Sequence, residues 1–294
     1  MTFAILPAFA STLSLLSVDR RSVLGTATTA ALWISSCSKG VAAPSIQSKI
    51  SESILTLPPP SYSTEFKGND ITLFPSFLEG EWQTIQTLVS TTTPLGLKYL
   101  GGPNGDLSIA EKTMEQSKSQ IDKPVKLKLR YLPTRWGVAE DRLFNTRQRL
   151  NAFAGKDVVA SVQYADVGGS NRKSVLLLGG TEEDPLQTTM VYFKGPAAQK
   201  SFVVAHGNES LGDRKWVVYE LQRSIFALTN QNTAPPVTTD TEYIWKFEVI
   251  DDSHVEGTLR IAAYLNAQND KLYFEARNRA VSLQDYSLKM ERLS

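Results

Sequence analysis

From Val125 to Tyr131 apolar and basic side chains alternate: Val125, Leu127, Leu129 and Tyr131 interleave with Lys126, Lys128 and Arg130. A period of two sends the two sets to opposite faces of a strand, one buried and one basic. Further strand-like runs follow at 158–164, 174–178, 188–194, 201–206, 215–226, 242–250, 255–264 and 271–277. Turn signals separate most of them, such as Gly168-Gly169, Gly179-Gly180, Gly207-Asn208 and Asn269-Asp270. Upstream, Trp82, Ile85 and Leu88 within a Thr- and Gln-rich stretch predict an opening strand over 78–90. A Gly- and Pro-rich loop over 91–106 then leads to a short helix. Asp106 or Ser108 caps it, Ser108 and Glu111 have capping-box spacing, and Ile109, Thr113, Met114 and Ile121 form a thin apolar stripe ending before Pro124.

One long opening strand, one short inserted helix and then eight or more strands without intervening helices predict a mainly β fold. The expected form is an antiparallel meander closed into a barrel, with a two-sheet β-sandwich as the alternative. No internal repeat of fixed period is present.

A different pattern governs the first forty-odd residues. Arg20-Arg21 precede an apolar run over 23–36, which closes on Val41, Ala42 and Ala43. That order of charge, apolar core and small residues is an export signal of twin-arginine type. The prefix Met1 to Ser17 is hydroxyl-rich and free of acids, as transit peptides are. The two together resemble the bipartite leaders of thylakoid lumen proteins, with cleavage after Ala43; a bacterial periplasm is the alternative compartment. The apolar run holds Thr26, Thr28, Thr29, Ser35 and Ser36 and falls short of the roughly 20 residues a span needs, so the mature form is expected to carry no transmembrane anchor. Lipidation of Cys37 is a minor alternative. The predicted organisation is a leader over 1–43, an extended arm over 44–74 containing Pro58-Pro59-Pro60, and a β-barrel domain over 75–294.

Removing the leader from the 294 residues leaves 251, which suits one all-β domain. Arg20, Arg21, Lys39 and Asp19 leave with it, so 31 basic and 30 acidic side chains become 28 and 29. A net charge of −1 gives no field to attract nucleic acid. Cys37 is the single cysteine and lies in the leader, so a chain starting at Pro44 has no disulfide or thiolate chemistry. With His206 and His254 the only imidazoles and no Asp-rich calcium loop, no metal is expected; the cofactor question stays open.

Gly80-Glu81-Trp82 opens the first strand and resembles the G-x-W signature of lipocalins and other calycins. In those barrels the tryptophan plugs the closed end and an arginine from the last strands stacks on it. The resemblance assigns barrel closure to Gly80, Trp82 and Arg277, with Arg279 and Arg292 as other sources of the guanidinium. The inserted helix is similar in position to that of fatty-acid-binding proteins and bilin lyases, although no lyase catalytic residue carries over by motif. The stretches 77–100 and 136–155 resemble an uncharacterised family of plastid and cyanobacterial exported proteins, which implies a lumenal location and no particular activity.

The densest polar segment, 136–149, holds Glu140, Asp141, Arg142, Asn145, Arg147 and Arg149 around Val138, Leu143 and Phe144. Ion pairing on a solvated surface is one reading. The other places Trp82, Arg130, Trp136, Arg142 and Arg147 at a ligand site, where guanidinium forks meet ligand carboxylates. Glu140 and Asp141 cannot act as paired acids, because adjacent side chains diverge on strand and helix alike. His206 lacks a Gly-x-Ser-x-Gly partner, and Gly101-Gly102-Pro103-Asn104-Gly105 lacks the Lys-Ser/Thr ending of a phosphate loop.

The functional expectation is a lumenal binding protein for a small apolar or pigment ligand, or an accessory factor of photosynthetic membrane proteins. The alternatives are a lyase or isomerase acting on a bound pigment through Glu140, Arg142 and Tyr164, and a structural accessory protein without ligand. Converging polar groups inside the barrel would mark the enzyme, and an apolar lining the carrier.

Overall fold

A computed structural model describes residues 46–57, 71–102, 104–164, 188–230, 236–266 and 272–293. The leader, the strand-like run 174–178, Pro58-Pro59-Pro60, Gly168-Gly169, Gly179-Gly180 and Asn269-Asp270 lie outside the described residues.

Among the described residues eleven strands form one antiparallel sheet: β1 (Leu73–Phe74), β2 (Gly80–Thr92), β3 (Pro124–Thr134), β4 (Gly137–Glu140), β5 (Val159–Tyr164), β6 (Thr189–Phe193), β7 (Ala197–Ser210), β8 (Lys215–Leu228), β9 (Val237–Val249), β10 (His254–Tyr264) and β11 (Ser282–Arg292). Their spatial order is β1-β4-β3-β2-β11-β10-β9-β8-β7-β6-β5, so the chain meanders except where β1 pairs with β4 and where β2 joins the last strand. The fold is the expected antiparallel β meander, in a single sheet rather than the two of a sandwich. The sheet curls into a half-barrel. Among the described residues no ladder joins β1 to β5; instead helix α2 (Arg142–Ala154) packs between β3 and β5 across the concave side.

Helix α1 (Leu107–Lys118) is the expected insertion, and its cap is Asp106, whose Oδ1 accepts from the Ser108 and Ile109 amides at 2.8 and 3.2 Å. A third helix, α3 (Tyr273–Ala276), is a single turn.

Four expectations change. The segment 142–154 is helical because Asp141 caps its start through the Phe144 amide and Gly155, left-handed at φ 64°, ends it. The run 271–277 contains α3 and not a strand. Strand β11, unassigned from the pattern, is central: it pairs β2 on one side and β10 on the other. Gly207-Asn208 is no turn, since β7 runs through it to Ser210. A Cβ on Gly207 would meet the Tyr219 ring at 3.0 Å and Ile46 at 3.2 Å, so close packing explains that glycine.

Both faces of the sheet are covered. Trp82, Leu127, Leu129, Tyr131, Trp245, Phe247, Leu259, Tyr286 and Leu288 belong to the main core cluster on the concave face. On the convex face Val217, Ile244, Ala262, Tyr264 and Leu283 pack under the arm residues Ile46, Ile50, Leu55 and Leu57. The arm is fixed by Ala280 N donating to Leu55 O, Leu57 N donating to Asn278 O, and Arg260 Nη1 donating to Glu52 O at 2.7 Å.

Trp82 is fully buried and donates from Nε1 to Leu78 O at 2.7 Å. The guanidinium stacked on it, 4.4 Å from the ring centroid, belongs to Arg292 and not to Arg277. Arg292 also donates to the carbonyls of Phe77, Glu79 and Asp252. Arg277 instead sits left-handed at φ 53° after α3. Gly80 has φ 111°, and a Cβ there would lie 3.2 Å from Arg292 Nη1. Glycine at this point therefore lets the arginine reach the indole.

Candidate functional site

Helix α2 carries Arg142, Thr146, Arg149, Leu150 and Phe153 on one face, at spacings of four, three, one and three residues. That face roofs a cavity over the concave sheet, where the centres of water-sized molecules find about 120 Å³. Tyr243 and Trp245 of β9, Leu259 and Ile261 of β10 and Tyr286 of β11 line one side. Glu140, Gln222, Gln199, Ser201 and Thr189 line the other, and Gln86 reaches in from β2.

The polar side is an ion-pair network. Arg142 grips Glu220 with both terminal nitrogens, at 3.0 and 2.5 Å. Thr72 Oγ1 donates to Glu220 Oε2 at 2.7 Å, and Gln222 Nε2 donates to Oε1. Burial alone would raise the pKa of Glu220, but the charge and hydrogen bonds of Arg142, joined by Gln222 and Thr72, outweigh it and hold the carboxyl down at about 2. Beside this pair, Glu140 accepts from Arg149 Nη1 and from Asn145 Nδ2, the latter at 3.0 Å, and lies 3.7 Å from Arg142. Burial lowers the pKa of Arg149, yet the Glu140 carboxylate raises it further and leaves it above its usual value. The Tyr243 hydroxyl is pushed up to about 12, mainly by burial, with Arg149 opposing and Glu220 and Glu140 adding to the rise.

Asn145 explains why the roof sits where it does. Its Oδ1 accepts from the Arg130 amide at 2.8 Å and its Nδ2 donates to Arg130 O at 3.0 Å. The side-chain amide thus pairs with β3 as a strand backbone would. Asp141 Oδ2 accepts from Arg130 Nε at 2.8 Å while Oδ1 caps α2. Glu140 and Asp141 therefore point apart, as adjacency requires, and only Glu140 enters the cavity. The cluster is buried rather than a solvated surface: the Glu140 and Arg142 side chains are 4 % and 7 % exposed.

Of the five residues expected at a ligand site, Arg142 alone lines the cavity. Trp82 is buried in the main core and is not in the lining. Arg130 lies outside it, 4.3 Å over the Phe144 ring. Trp136 is exposed at the β3–β4 turn with Arg135 stacked on it at 4.0 Å. Arg147 is exposed and donates to Ala160 O on β5 at 3.1 Å. Tyr164, a candidate for the enzyme alternative, is not in the lining. Arg149, Tyr243, Gln86 and Gln222 are in the lining and were not anticipated; once 142–154 is helical, the spacing from Arg142 to Arg149 puts the latter on the same face. Among the described residues no group of three or more His, Cys, Asp or Glu side chains is placed to hold a metal ion. No described helix is long and apolar enough to cross a membrane.

Fold and site together define a curled antiparallel half-barrel with a helix-roofed internal cavity. The chain belongs to a family known as a domain of unknown function (DUF6816), whose model matches residues 67–294 and so takes in every strand and all cavity-lining residues. No curated protein and no solved structure matches it.

Proposed function

We propose that this chain is a small-ligand-binding protein of calycin type, exported to the chloroplast thylakoid lumen, with the bacterial periplasm as the alternative compartment. The supporting observation is the cavity beneath α2, with an aromatic and aliphatic wall facing hydrogen-bonding groups. That division suits an amphipathic ligand. A dry cavity of about 150 Å³ takes one benzene, so about 120 Å³ holds a ring-sized group. The rest of a pigment or lipid would extend beyond the cavity. The bipartite leader and the G-x-W opening support the location and the calycin relation.

The convergence of Glu140, Arg142, Arg149 and Tyr243 favours a second reading, an enzyme acting on that ligand. The test is native mass spectrometry and an absorption spectrum of the mature protein, from Pro44, purified from its own organism. A co-purifying pigment or lipid derivative is expected. An empty, colourless protein would overturn ligand binding and favour an accessory factor that works through photosynthetic membrane proteins.

A further inference from the structure

Two arginines line the cavity, and each already has its own carboxylate. Arg142 holds Glu220 at 3.0 and 2.5 Å, and Arg149 holds Glu140. Glu140 completes the charged lining, and Glu220 lies directly behind Arg142. Two positive and two negative charges leave this region neutral. A ligand carboxylate would add a buried charge with no counterion, and such a charge is strongly unfavourable.

What the cavity leaves unengaged is different in kind. Among the described residues Arg149 uses only Nη1, so its Nε and Nη2 protons have no acceptor. The Tyr243 hydroxyl and the Gln86 amide line the cavity and have no side-chain hydrogen bond. Gln86 is 4 % exposed, and its amide faces the cavity. Arg149 offers only donors and Tyr243 and Gln86 can donate, while Gln199 Oε1 in the same lining is a buried acceptor without a partner among the described residues, suited to a carboxamide N–H; the aromatic rings of Phe153 and Trp245 lie beside them.

We infer that the ligand's polar end is an uncharged hydrogen-bond acceptor, a carbonyl or carboxamide on a ring-sized apolar body, taken up by Arg149, Tyr243 and Gln86. This rests on the small-ligand reading above. It reverses the carboxylate-clamp role expected of Arg142 and supplies a specificity: neutral amides or ketones over acids of the same shape.

The test is a matched series of toluene, benzamide and benzoate added to the mature wild-type protein at pH 7.5, with affinities from amide chemical-shift titration. Benzamide should bind at least tenfold more tightly than benzoate, with shifts centred on Arg149 and Tyr243, and more tightly than toluene. Glu140→Gln removes one negative charge and should erase or invert the preference for benzamide over benzoate. Benzoate binding to wild type as tightly as benzamide would overturn the inference while leaving the cavity reading intact. Failure of all three to bind would overturn both. The wild-type ratio decides the matter even if the variant does not fold.

Discussion

Glu220 and Glu242 sit on neighbouring strands, one register step apart, since Leu221 of β8 faces Glu242 of β9. They are 0 % and 1 % exposed, but they point to opposite faces of the sheet. On the concave face Glu220 takes its cation, Arg142, from helix α2. On the convex face Glu242 takes Lys49 from the arm and accepts from the Tyr264 hydroxyl at 2.7 Å. Both faces are thus closed by one device, a covering segment that carries a positive charge onto a buried carboxylate. The difference is in what lies around the pair. Glu220 is held by a bidentate fork, a hydroxyl and an amide inside the family's matched region, next to a cavity. Glu242 lies under an arm segment that precedes that region and packs with Leu55 and its neighbours against the convex face. The concave pair is part of the domain's interior, whereas the convex pair is a latch.

That contrast breaks most directly at Arg142. Arg142→Met leaves Glu220 buried without a counterion and should lower stability by about 3–5 kcal/mol in urea unfolding. Adding Glu220→Leu in the same chain should restore much of that loss; no recovery would mean that the pair shapes the interior in some way other than by charge. The same pair should show in acid. Because the folded-state pKa of Glu220 lies below its ordinary 4.5, its contribution is present above pH 4.5 and is lost as pH falls toward about 2. The loss amounts to about 3 kcal/mol, and Glu220→Gln should flatten that limb of the stability profile.

The latch should yield more cheaply. Leu55→Ala, at 1 % exposure, should cost about 2–3 kcal/mol by thermal or urea unfolding and should leave ligand binding in the cavity unchanged. Lys49→Met should cost least, about 1–2 kcal/mol, since Glu242 keeps the Tyr264 bond and the arm can lift to let water in. If Lys49→Met matched Arg142→Met, the two faces would be energetically equivalent and the latch description would fail.

The same asymmetry explains what the sequence made legible. Alternation revealed β3, where Leu127, Leu129 and Tyr131 are buried and Lys126 and Lys128 exposed, whereas β8, β9 and β10 showed only as strand-like runs. In β11 it was blurred, because Leu283 faces the arm cluster while Gln284 is also buried, and the register shifts between Asp285 and Tyr286. A strand covered on both faces loses the polar half of its pattern. Helix α2 escaped notice for the opposite reason: its buried residues are Arg142, Asn145 and Leu150, so an apolar stripe could not report it. Only Asp141 and Gly155 marked its ends. The cavity follows from that helix, so of the expected ligand residues only Arg142 was found in its lining. Trp82 and Gly80 were legible as a closing motif, but three arginines competed and only register brought Arg292 onto the indole.

Arg147 has a consequence apart from any ligand. Among the described residues the sheet ends in β1 and β5, and a sheet edge is where another chain could add a strand and begin a fibril. Edge β1 is two residues long, too short to template much. Edge β5 lies against α2, and Arg147 occupies the Ala160 carbonyl with its guanidinium. A charge on that acceptor keeps an intruding strand's amide away, so an exposed arginine outside the cavity blunts this edge of the sheet.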